Sequence, residues 1–177
     1  MILTTLRDVA VREGLVQNLD YEPKPVSWLI QLDANGKYLG LVSTLTEYGP
    51  KKRLMAKVMN IPRRSGRTSG RVADFLVDKS EYVLGIESEG KQKSRKPQEL
   101  IKRRNLFSEE ILKAAHEVNC EELTAVALFL QSDSESARCR HDLAGNEYAS
   151  NDLFAFEVHG CLVHEIPAVQ TYFSCLR

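Results

Sequence analysis

The segment VSWLIQLDANGKYLGLVSTL, residues 26–45, constrains the fold more tightly than any other stretch of the chain. Two runs of β-type residues flank Asn35-Gly36, a pair that tolerates positive φ, so a type I′ hairpin is expected between strands at 26–33 and 37–45. A lone hairpin is only marginally stable in water, so the remaining chain must cover it. Helical spacing of Ile2, Leu3, Leu6, Val9 and Ala10 predicts a helix over 2–13 that ends at Gly14. Ser108 is placed to cap a second helix, with Glu109 and Glu110 near its positive end and Ile111, Leu112, Ala115 and Val118 facing inward. A third is expected over 121–131, and Pro167 opens a last one containing Val169, Tyr172, Phe173 and Leu176. Strands are expected at 53–59 and 82–87, and DLFAFEVHGCLVHE reads as a hairpin turning near His159-Gly160. Residues 132–150 read as loop, and the polar, basic residues 88–104 as mobile without a partner. The fold class that follows is α+β: one domain over 1–177, a mainly antiparallel sheet built from hairpins, with packed helices.

The formal net charge is zero, but it averages two opposed regions. Residues 51–104 carry 16 Lys and Arg against 6 Asp and Glu, whereas residues 105–177 carry 4 against 12. Such asymmetry suggests a polyanion-binding middle and an acidic remainder that faces solvent or a basic partner.

The basic middle is densest at IPRRSGRTSGR, residues 61–71, with four arginines, two glycines and no acid. Lys51, Lys52, Arg53, Lys57, Arg63, Arg64, Arg67 and Arg71 are candidates for phosphate contact, because cations displace condensed counterions and arginine adds a planar fork. Thr68 and Ser69 add short hydroxyl donors, and Gly66 and Gly70 allow the backbone to approach closely. The plainer alternative is a solvated loop. A P-loop is excluded, since GRTSGR lacks both the glycine spacing and the Lys-Ser/Thr pair of GxxxxGK[ST]. A second run, Lys91, Lys93, Arg95, Lys96, Lys102, Arg103 and Arg104, reads equally well as an auxiliary phosphate contact and as a solvated helix face.

Other chemistries are less well supported. Asp74, Asp78 and Glu81 suggest a carboxylate cluster for a metal-dependent nuclease, but acids beside arginines commonly form ion pairs. Cys139, His141, His159, Cys161 and His164 are zinc-type ligands without finger or ribbon spacing. The four cysteines form no CxxC pair, and reduced thiols are expected. Trp28 reads as core. No apolar run reaches the roughly 20 residues of a membrane span and the start lacks a signal-peptide pattern, so a soluble, cytoplasmic protein is expected.

The hairpin with its Trp, then KKRLMAKVMNIP, RTSG, FLVD, YVLG, the basic stretch before Phe107, and FEVHGCLVHEIPAV, in that order, resemble the N-terminal region of the large subunit of the type I-C CRISPR interference complex, Cascade. The resemblance covers essentially all 177 residues. It implies a non-catalytic subunit of a crRNA-guided effector that contacts other Cascade subunits, binds double-stranded target DNA near the protospacer-adjacent motif, and needs no cofactor. Cutting would fall to a recruited helicase-nuclease. Members of that family run several times longer, so the chain reads as an N-terminal portion or a short form. Where the family tends toward SGxxPNFLxDN, this chain has SGRVADFLVDK, with Ala73, Asp74 and Lys79 in place of Pro, Asn and Asn. Two other readings stay open: a metal-dependent nuclease using Asp74, Asp78 and Glu81, and a purely protein-interaction module.

Overall fold

In the computed structural model, the residues described are residue 9, residues 19–64, 72–88 and 95–176. The helix expected over 2–13 falls almost wholly outside them. Nine strands are described: β1 (Tyr21–Val26), β2 (Trp28–Leu32), β3 (Tyr38–Ser43), β4 (Thr46–Tyr48), β5 (Arg53–Met55), β6 (Lys57–Pro62), β7 (Asp78–Lys79), β8 (Leu153–Val158) and β9 (Cys161–Leu162). Five α-helices accompany them: α1 (Ser80–Val83), α2 (Pro97–Glu117), α3 (Glu121–Gln131), α4 (Asp133–Ala144) and α5 (Pro167–Cys175). The α+β class stands.

The central sheet has the order β3-β2-β8-β7, with β9 paired to β8. Its pairs are antiparallel except β2–β8, where Trp28 to Leu32 run parallel beside Phe154 to Val158. Two further antiparallel pairs, β1–β6 and β4–β5, stand apart from it. The segment expected as one strand from residue 26 is thus divided at Ser27: β1 pairs with β6, and β2 enters the central sheet.

The core lies where α2 and α3 cover the sheet. Phe156 packs on Phe107 of α2 and Phe129 of α3, with ring centroids 6.3 and 6.0 Å apart. Ile30, Leu32, Phe154, Ile111 and Leu123 are buried around them, each side chain of this kind contributing about 1.5–3 kcal/mol. Trp28 is core as expected, stacked on Phe154, and its indole donates to Asp152 Oδ2 at 3.3 Å.

The first hairpin forms where expected, but its turn is of another kind. Only Gly36 has positive φ, at +77°, while Asp33 N–H bonds to Lys37 C=O and Asp33 Oδ1 accepts from the N–H groups of Asn35 and Lys37. This is a three-residue loop with glycine at the left-handed position. The two-residue turn with both φ positive occurs instead at His159-Gly160, between the paired Val158 and Cys161.

Three expected elements are corrected. Residues 82–87, expected as a strand, begin inside α1: Tyr82, Val83 and Leu84 are all buried, so the run carries no alternation to separate strand from helix. Helix α2 starts at Pro97, a full three turns before Ser108, which sits mid-helix. Residues 133–144, expected as loop, form α4, capped by Ser132 accepting from Glu135 N–H.

Candidate nucleic-acid interface

Lys51, Lys52 and Arg53 sit on a two-stranded arm of exposed residues. Strands β4 and β5 pair as Thr46 with Met55, Glu47 with Leu54 and Tyr48 with Arg53, and every one of these six residues is exposed. Gly49 and Lys52 take positive φ in the connecting turn, where Lys52 N–H bonds to Gly49 C=O at 3.1 Å. Lys51, Lys52, Arg53 and Lys57 all face solvent. Lys52 approaches Glu47 only at 4.0 Å, and an exposed pair at that distance binds weakly.

At the far end of β6, two adjacent arginines diverge. Arg63 is exposed, its N–H bonded to Asp20 C=O at 2.7 Å. Arg64, expected at a phosphate, is turned into the protein: its Nε donates to Asp74 Oδ2 at 2.6 Å and a terminal nitrogen lies 3.7 Å from Asp78 Oδ1. Asp78 is fully buried and also accepts from the N–H groups of Asp74 and Lys79, at 2.8 and 2.7 Å. Arg64 N–H bonds to Glu22 Oε1. The root of the arginine segment is therefore tied together from both sides. Arg67, Thr68, Ser69 and Arg71 lie outside the described residues.

The three arginines of the second basic run are spent on the fold. Glu81 accepts from Arg95 Nε at 3.0 Å and from Arg103 at 2.8 Å, and Arg103 also covers the Tyr82 ring. Arg104 donates to Val83 C=O, Leu130 C=O and Ser136 Oγ, joining α1 to α3 and α4. Burial lowers its pKa from the ordinary arginine value, with the Arg140 charge adding to the effect. Lys96 and Lys102 remain exposed, and Lys91 and Lys93 lie outside the described residues.

The acids considered for a nuclease are thus engaged by arginines: Asp74 and Asp78 by Arg64, Glu81 by Arg95 and Arg103. The histidine and cysteine group does not assemble either. Cys139 is buried in α4 and burial pushes its thiol up to about 12, His141 and His159 are exposed, and His164 is buried. Among the described residues, no three His, Cys, Asp or Glu side chains converge as metal ligands.

One feature of the surface was not foreseen from sequence. A cleft of about 310 Å³ opens between α2, α5 and residues 72–75, lined by Arg63, Val72, Phe75, Lys113, Tyr172 and Phe173 among others. Tyr172 and Phe173 had the spacing of an ordinary apolar helix face, and Lys113 is a single cation on an otherwise acidic stretch. Nothing in one-dimensional spacing brings α5 against the residues that follow the arginine segment.

No described helix is long and apolar enough to cross a membrane. A family model described as CRISPR-associated protein (Cas_Csd1) matches residues 5–176, and no curated protein matches the chain.

Proposed function

The chain belongs to the Cas_Csd1 family of CRISPR-associated proteins, and from that premise we propose that it is a DNA-binding, non-catalytic subunit, the large subunit or its N-terminal domain, of a type I-C RNA-guided effector. In this role it helps recognise the protospacer-adjacent motif and holds target duplex DNA, while crRNA pairing reads the target sequence. Its partners are crRNA, the other Cascade subunits and a recruited helicase-nuclease.

The observation that carries the reading is the separation of the cations into two sets. Lys51, Lys52, Arg53, Lys57 and Arg63 face solvent along β4–β6, available to phosphates, whereas Arg64, Arg95, Arg103 and Arg104 hold the fold. Arg67, Thr68, Ser69 and Arg71 extend the first set in sequence. The engagement of Asp74, Asp78 and Glu81 by arginines favours a structural over a nucleolytic role for them. A magnesium or manganese cleavage assay tests this: cutting abolished by Asp78→Ala without unfolding would overturn it.

A protein-interaction module is the second reading, favoured by the exposed Tyr48, Leu54, Met55 and Val58 along β4–β6. Duplex binding measured across salt concentrations separates the two. Steep salt dependence supports the DNA reading, and no salt-sensitive binding supports the module.

A further inference from the structure

Resting on the nucleic-acid role just proposed, we propose that the cleft between α2, α5 and residues 72–75 receives a single unstacked nucleobase of a DNA strand. Its aromatic wall takes the base, and Arg63 and Lys113 take the adjoining phosphate. The volume, about 310 Å³, is at the small end of ligand pockets. It holds one base and excludes a duplex.

The lining divides into a wall and a rim. Phe75 and Phe173 stack on each other with centroids 5.4 Å apart and planes 12° apart, and both are buried, so they form a fixed apolar floor. Tyr172 stands 6.0 Å from Phe75 and is only half-buried, so of the three rings it has surface to offer. At the rim, the exposed cations Arg63 and Lys113 reach one small opening from two elements, β6's end and α2, beside the carboxylate of Glu110, while the other acid of the lining, Asp74, is paired with Arg64. A flat π surface beside two cations matches a nucleotide, base to ring and phosphate to charge. An apolar peptide would use the rings and leave the charges idle.

Position ties the cleft to DNA strands rather than to a free nucleotide. Arg63 and Val72, which bracket the arginine segment in the chain, both line the cleft. A strand gripped by the cations around that segment thus has a base-sized opening beside it.

The test is photocrosslinking of the chain to single-stranded DNA carrying one 5-iodouracil, a base that couples to aromatic rings it stacks on. The expected result is an adduct mapped to Tyr172. Tyr172→Leu should abolish it and weaken strand affinity about tenfold. Lys113→Ala should weaken affinity several-fold, with Lys113→Arg restoring it; as Lys113 is a surface residue, this pair decides the matter if Tyr172→Leu unfolds. An adduct confined to residues outside the cleft, or unchanged affinity in both Tyr172→Leu and Lys113→Ala, would overturn the proposal. So would equal labelling of Tyr172 by free 5-iodouridine monophosphate, which would make this a site for a free nucleotide. Duplex binding is measured in parallel: salt-sensitive duplex binding without the adduct sinks the cleft alone, and the adduct without duplex binding sinks the duplex-holding role alone.

Discussion

Arg64 Nε and Asp74 Oδ2 meet at 2.6 Å across the root of the arginine segment, joining the chain before it to the chain after it. Asp74 is almost wholly buried, and its backbone N–H is in turn held by Asp78. Removing one partner leaves a charge in a site built for two. Asp74→Ala is expected to cost about 2 kcal/mol, below the full penalty of a buried pair because Arg64 keeps 24% of its side-chain exposure and its approach to Asp78. Urea unfolding measures it. Lys52→Ala, on the exposed arm, should leave the midpoint unchanged, and equal midpoints for the two variants would refute the distinction drawn between the two cation sets.

Gly36 leaves no room for a side chain. A Cβ built there would lie 2.6 Å from Ala125 C=O and 2.8 Å from Phe129 N–H, both backbone atoms of α3, and its φ of +77° disfavours other residues independently. Gly36→Ala is therefore expected to destabilise by about 3 kcal/mol or more, the sum of a left-handed penalty and a backbone clash that no rotamer relieves. Thermal unfolding checks it, with Gly49→Ala as the contrast: that glycine also has positive φ, but nothing lies within 4 Å of its Cβ position.

These positions show why the chain was legible in some places and opaque in others. The hairpins at Gly36 and Gly160, helix α3 and the Pro167 helix start follow from local rules of φ and spacing. The part of helix α2 before Ser108 was hidden because its inward stripe, before Phe107, is made of Arg103 and Arg104 rather than apolar residues; only Glu81 and the carbonyls of Val83 and Leu130 make those positions interior. Helix α4 buries only Ser136, Cys139 and Leu143, too thin a stripe to register, although Ser132 and Glu135 had capping-box spacing. The parallel β2–β8 pairing joins residues more than 120 apart, and local spacing does not encode partners. At the candidate interface the arginines could be counted in sequence, but which of them face the protein depends on acids brought close by the fold.

The exposed arm makes a prediction about salt. If Lys51, Lys52 and Arg53 each neutralise a phosphate, the logarithm of duplex affinity falls linearly with the logarithm of salt concentration, and each alanine substitution reduces the slope by about 1. Binding should weaken uniformly across target sequences, since phosphate contacts position the protein without reading bases. Fluorescence anisotropy at several salt concentrations measures the slope. A slope unchanged in the triple variant would place the phosphate contacts elsewhere on the chain.

His164 supplies a pH dependence whose sign is fixed. Its ring is buried, neither ring nitrogen has a hydrogen-bond partner, and burial lowers its pKa from 6.5 to about 4. The unfolded chain therefore takes up a proton at higher pH than the folded one. Stability from this group is complete above about pH 6.5 and is lost as pH falls through the interval down to 4, a total of about 3 kcal/mol at 1.36 kcal/mol per pKa unit. His164→Leu removes the titration and two unsatisfied polar atoms from the core. The variant is expected to be at least as stable as the native chain at pH 7 and to lose less stability on acidification. Because carboxylates titrate over the same range in both proteins, the quantity to compare is the difference between the two unfolding free energies at each pH. That difference should grow from pH 6.5 to pH 4, and a constant difference would show that His164 titrates alike in the folded and unfolded chain.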